Sequence, residues 1–231
     1  MGITLKKIEV VPDDTKAIAD SVTQLSSHHH IVFTSGGIGP TMDDISYDAI
    51  AKAYGVDLSL DDETCQRMKD MAQRQSNDPV WELTDARKRM ALFPTGANIL
   101  RVDPKLWVPV VVVNNNIHIL PGVPRLFEQL VHGLRPHIEQ TMASLHMTPT
   151  KFHRVEIATS ESEGIIAPVL NTLQDKFANV SIGSYPKWGL GPQGERVVVS
   201  IVGKDEQCVH QAAKEIQEGI QGWVYQQDSC P

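Results

Sequence analysis

Two carboxylates, a run of glycines and a knot of basic side chains are the residues of this chain whose types and spacing point to chemistry on a phosphate. Gly36, Gly37 and Gly39 follow Thr34 and Ser35 and lead into Pro40, Thr41, Asp43 and Asp44. Glycines in a turn let the backbone come close to a ligand. The first turn of a helix adds unpaired N–H groups at the positive end of its dipole. A strand, a glycine turn and a helix start in that order make an anion cradle. The same residues also have a purely structural reading. Thr41 and Asp44 stand at capping-box spacing, with Asp in place of the usual Glu or Gln, and Gly36 and Gly37 would serve any tight strand-to-helix turn. The pattern is neither the dinucleotide fingerprint GxGxxG nor a P-loop, because no Lys follows the glycines.

The elements that must position these residues follow from hydrophobic period. Ile31, Val32 and Phe33 read as a short, fully buried parallel strand entering the turn. Ala49, Ile50, Ala51 and Ala53 continue the helix that Thr41, Asp43 and Asp44 open. Upstream, Ile3 to Val11 reads as a strand ending at Pro12, Asp13 and Asp14, and a helix follows through Ala17, Ile18, Val22 and Leu25. Asp13 thus ends one strand as the glycine turn ends the next. Open α/β sheets bind ligands at that edge, and an N-cap is the alternative role for Asp13. His28, His29 and His30 fall in a loop.

Asp61 to Asp78 predicts an exposed helix ending in a turn at Ser76, Asn77, Asp78 and Pro79. Arg87 and Lys88, in the basic knot with Arg89, either meet a ligand phosphate or cover a solvated helix face. Val110 to Val113 and Ile117 to Leu120 form a hairpin about Asn114, Asn115 and Asn116. The second of these strands enters Pro121, Gly122, Val123 and Pro124, then an amphipathic helix with Leu126, Phe127, Leu130, Val131 and Leu134 on its core face. This is a second strand, turn and helix. Periodicity lapses around Thr141 to Pro149, which divides the chain into a first domain, 1–145, and a second, 150–228. The second reads β-α-β-β-α-β, a small α+β sandwich. Tyr185 and Trp188 lie in a turn there, to stack on a ring or to close an interface.

Length and composition bound the function. A chain of 231 residues with 41% hydrophobic and 21% charged content is an ordinary globular protein. A formal net charge of −7 argues against a nucleic-acid or anionic-membrane surface. Three cysteines, Cys65, Cys208 and Cys230, are odd in number and far apart, so neither a disulfide framework nor a zinc site is indicated, and a reducing compartment is the default. The opening MGITLKKIEV lacks a signal-peptide core, and no segment reaches the roughly 18 apolar residues of a membrane helix. A cytoplasmic protein with no membrane partner is expected.

The runs TSGGIGPTMDD, LPGVP and VVPDD together resemble the MoaB/Mog family, whose fold binds molybdopterin. The nearer likeness is to the branch containing CinA-type competence-damage proteins and the N-terminal domain of eukaryotic FAD synthase. RMALFPTGA resembles the segment before the second binding turn in that branch, and GSYPKW a motif of the FAD synthase domain. The resemblance implies an α/β, three-layer sheet with helices on both faces and a small C-terminal α+β sandwich. It implies that Asp44 and Asp13 are the two acids of the site, catalytic and metal-holding. Thr34, Ser35, Gly36, Gly37 and Gly39, with Pro40 and Thr41, would then form the phosphate loop, and Pro121 and Gly122 the second binding turn; Arg87 is added to the binding residues from the basic knot, not from the resemblance. FAD or ADP-ribose is the implied ligand and molybdopterin the alternative, with Mg, Mn or Co hydrolysing the pyrophosphate; carboxylate ligation suits these ions better than zinc. A non-catalytic nucleotide-binding module is the rival reading. The chain opens on what resembles the family's second strand, so the first strand and helix are expected to be absent, and 102–108 lacks a glycine-rich turn of the CinA branch. A missing central strand leaves an edge unpaired, and a homo-oligomer is expected. The end at Pro231 leaves no room for an adenylyltransferase domain, so FAD synthesis is not expected.

Overall fold

The computed structural model describes residues 2–75, 81–148 and 150–225. The chain divides into two compact units, one of Lys6–Thr141 and one of Met142–Pro231 with Met1–Leu5. In chain order the elements running from the start of the first unit are α1 (Thr15–His28), β1 (Val32–Ser35), α2 (Ser46–Ala53), β2 (Leu58–Leu60), α3 (Asp62–Gln75), α4 (Asp85–Arg89), β3 (Leu92–Pro94), β4 (Asn98–Leu100), β5 (Val110–Val113), β6 (Ile117–Leu120), α5 (Pro124–Gly133) and α6 (Arg135–Ser144). One sheet has the order β1-β6-β5-β4, and β2 and β3 form a separate two-stranded sheet. β1 runs parallel to β6, whereas β6, β5 and β4 are antiparallel.

The hairpin forms where the sequence places it. Asn114 and Asn115 adopt φ of 49° and 60°, the left-handed region that asparagine tolerates, in the three-residue connection between the paired Val113 and Ile117. Asn116 then donates to Ser26 O and His29 O, each at 2.9 Å, which fastens the end of α1 to the hairpin. All four residues of β5 and of β6 are buried, as a strand with neighbours on both sides and cover on both faces demands.

Two expected strands differ. β1 is not fully buried: Phe33 is 38% exposed, because β1 pairs with β6 alone and lies at the sheet edge. The stretch from Ile3 to Val11 forms no strand. Its β-branched alternation has no neighbouring strand to pair with among the described residues, and Ile8 and Val10 are left 76% and 94% exposed. Glu9 reaches back, accepting from the Ser21 hydroxyl of α1 at 3.2 Å. The helix expected over 61–78 is α3; the turn expected at Ser76 to Pro79 lies outside the described residues.

The second unit contains β7 (His153–Thr159), α7 (Glu163–Lys176), β8 (Val180–Pro186), β9 (Val197–Gly203), α8 (Glu206–Gly219) and β10 (Trp223–Val224), the order that its periodicity predicts. The strands form one antiparallel sheet, β10-β7-β9-β8. Ile157, Val199 and Ile201 of the sheet close on Ile166 of α7 and on Val209 and Ile216 of α8. Asp205 caps α8 by accepting from Cys208 N at 3.0 Å. Tyr185 and Trp188 are exposed. No helix of the described residues is long and apolar enough to cross a membrane.

Candidate functional site

The parallel register of β1 and β6 brings the two expected binding turns together. Ser35 pairs opposite Leu120, and Gly36 N–H donates to Leu120 O at 3.1 Å, so both strands finish at one edge. The turns that leave them are in backbone contact. A Cβ added at Gly122 would stand 3.1 Å from Gly36 Cα, a distance that leaves no room for a side chain without displacing main chain. Gly36 and Gly37 have φ of 103° and 67°, so the chain turns here through the left-handed region that favours glycine. Their carbonyls face the helix: Ser46 Oγ donates to Gly36 O at 3.0 Å and Ser46 N to Gly37 O at 2.9 Å. Buried Ile38 and Pro121 anchor the two turns, while Ser35, Pro40, Thr41 and Gly122 are exposed.

Helix α2 starts at Ser46, later than the start expected at Thr41 to Asp44. The cause is Asp44. Its carboxylate Oδ2 accepts from Thr41 N at 3.0 Å and from Thr41 Oγ1 at 2.6 Å, and the Gly39 amide also donates to the carboxylate. These local side-chain bonds hold 41–45 in a turn that competes with helix. The capping-type pairing of Thr41 with Asp44 therefore exists, but it closes the glycine loop rather than opening the helix. Partial burial pushes the Asp44 carboxyl up. The Thr41 hydroxyl, the Gly39 and Thr41 amides and the nearby Arg89 charge outweigh it and hold the group below its usual range.

Asp13 is exposed in the bend ahead of α1. The N-cap is its neighbour Asp14, which accepts from Ala17 N at 2.8 Å. Among the described residues no group of three or more His, Cys, Asp or Glu side chains is placed to hold a metal ion. Asp13 and Asp44 are therefore not part of a larger cluster of such side chains among the described residues. A magnesium ion carried in on a ligand's phosphates is a different case, since it needs only one or two carboxylates from protein.

The basic knot is sorted by its helix. Arg87 lies over the Trp81 ring, 5.2 Å from its centroid, and donates to Glu82 O. Lys88 pairs with Asp85 at 3.0 Å. Arg89 is the member brought to the glycine loop, with Nη2 3.4 Å from Asp44 O. Residues on a helix point about 100° apart, so one of three neighbours faces any given site, and sequence alone does not say which. Sequence reasoning also missed Tyr47. Its ring stands edge-on to Phe93 at 5.1 Å, and its hydroxyl, like Thr34 Oγ1 and Arg89 Nε, is buried without a hydrogen-bond partner. Burial pushes the Tyr47 hydroxyl pKa up.

Residues 1–169 match the family described as probable molybdopterin binding domain. The chain belongs to that family. Residues 151–228 match the family described as FAD synthase, middle domain, so the likeness seen in GSYPKW extends over most of the second unit. A protein of Archaeoglobus fulgidus is 27% identical over 217 residues, covering 94% of this chain and 83% of the relative. A protein of Saccharolobus islandicus is 30% identical over 190 residues, covering 81% and 69%. The crystal structure of a CinA protein of unknown function from Thermoplasma acidophilum is similar at 28% identity with a TM-score of 0.49, covering 59% of this chain and 79% of that one.

Proposed function

We propose that this molybdopterin-binding-type domain takes a pyrophosphate-bearing dinucleotide of the FAD or ADP-ribose class at the joined turns of β1 and β6. The observation that carries the reading is the backbone contact of Gly36 with Gly122 at one sheet edge, beside Asp44 and Arg89. Main chain without side chains at Gly36 and Gly37 lets a phosphate lie against the backbone, next to the turn's amides. The match of the second unit to the FAD synthase middle domain supports the flavin or adenine class over a pterin. Molybdopterin, supported by the first family's description, is the alternative ligand.

Hydrolysis of the pyrophosphate is the further half of the proposal. A divalent ion bound to the substrate would polarise a phosphoryl oxygen, and Asp44, fixed by its three donors, is the carboxylate at the turn that could meet it. Binding without turnover is the second reading. Incubation with FAD or ADP-ribose plus magnesium or cobalt separates them. AMP release supports hydrolysis, a thermal shift without AMP release supports the binding module, and neither with any nucleotide or pterin removes the proposal. We also carry the expectation of a homo-oligomer, motivated by the open edge of β1.

A further inference from the structure

We infer that Arg89, not Arg87, is the cation that clamps the ligand's phosphate at the glycine loop. The inference rests on the proposed dinucleotide reading and deepens it. Arg87 and Lys88 are already engaged, the first by Trp81 and Glu82 O, the second by Asp85. Arg101, the other partly buried arginine nearby in sequence, is committed to Asp61 and Glu63. Arg89 is less engaged. Among the described residues it forms no ion pair within 4 Å, its Nε is buried without a hydrogen-bond partner, and beside the effect of its charge on the Asp44 carboxyl it makes a long 3.4 Å approach to the Asp44 carbonyl. A guanidinium has five donors in a planar fork suited to phosphate oxygens, and leaving them unused in a part-buried position is costly. The loop it borders also carries a carboxylate, and a phosphate entering beside Asp44 is repelled unless a cation offsets that charge. Arg89 supplies the offset and the unused donors in one side chain.

The test is titration of the purified chain with ADP-ribose and with inorganic pyrophosphate at several salt concentrations, for wild type, R89Q and R89K. For R89Q the affinity for both probes falls at least about tenfold and its salt dependence flattens, because a screened charge contact has been removed. R89K, which keeps a point charge but loses the fork, falls in between. A purely structural role for Arg89 would not move the salt dependence, so affinity lost at the wild-type salt slope overturns the inference, as does unchanged affinity. Should R89Q fail to fold, R89K decides: an affinity equal to wild type overturns the inference. If wild type binds ADP-ribose and R89Q binds it equally, the dinucleotide reading survives and Arg89 is dismissed. If wild type binds neither probe, the inference falls, and the dinucleotide reading falls with it when FAD also fails to bind.

Discussion

Asp44 holds the glycine loop shut through charge-assisted bonds that run to it from Thr41 N, Thr41 Oγ1 and the Gly39 amide. Such bonds are worth more than neutral ones, and Asp44→Asn is expected to lower stability by about 1 to 2 kcal/mol. The pH dependence follows from its depressed folded value. The contribution is fully present above the ordinary carboxyl value of 3.8 and is lost as pH falls through the lower folded value. Urea unfolding of wild type and variant checks this: the gap between them is constant above the ordinary carboxyl value and narrows as pH falls below it, whereas a gap independent of pH contradicts the assignment. At this scale the sequence was legible in part. The types and spacing of Thr41 and Asp44 announce their pairing, but not that it would close the loop instead of capping α2. The basic knot was visible too, yet Arg89 rather than Arg87 reaches the loop because helix phase, set by packing, decides among adjacent residues.

Between elements, the site depends on how closely β1 and β6 deliver their turns. Gly122→Ala tests this, since its Cβ would meet Gly36 Cα at 3.1 Å and the neighbour is main chain that cannot rotate away. A loss of about 1 to 3 kcal/mol is expected from overpacking, together with weaker nucleotide binding. Stability and binding both at wild-type level in thermal and titration measurements would mean that the turns are not in contact. The hairpin of β5 and β6 and the β-α-β-β-α-β order of the second unit were legible because hydrophobic runs and asparagine or cap signals agree there. The short strands β2, β3 and β4 were not, because strands of three residues are too brief for a period to show. Ile3 to Val11 misled for a different reason. It has the pattern of a strand, but a strand exists only through its neighbour, and none of the described residues supplies one.

For the molecule as a whole, that unpaired segment and the open edge of β1 argue for association between copies. Ile8 and Val10 present apolar surface, and β1 is an edge strand with unpaired main-chain groups, the kind of edge that strand addition between chains uses. Light scattering is expected to give a mass above the 25.5 kDa of one chain, and Val10→Lys to reduce it toward that value. A wild-type protein that stays monomeric at tens of micromolar would contradict this. A net charge of −7 disfavours long-range attraction of a polyphosphate, so the proposal requires a phosphate ligand to be held locally, by loop amides and Arg89. The most direct test is therefore calorimetric titration of the wild-type chain with ADP-ribose and FAD in the presence of magnesium. Saturable binding that weakens in Gly122→Ala is the result this account predicts; no binding of either nucleotide, or binding indifferent to that substitution, would contradict it.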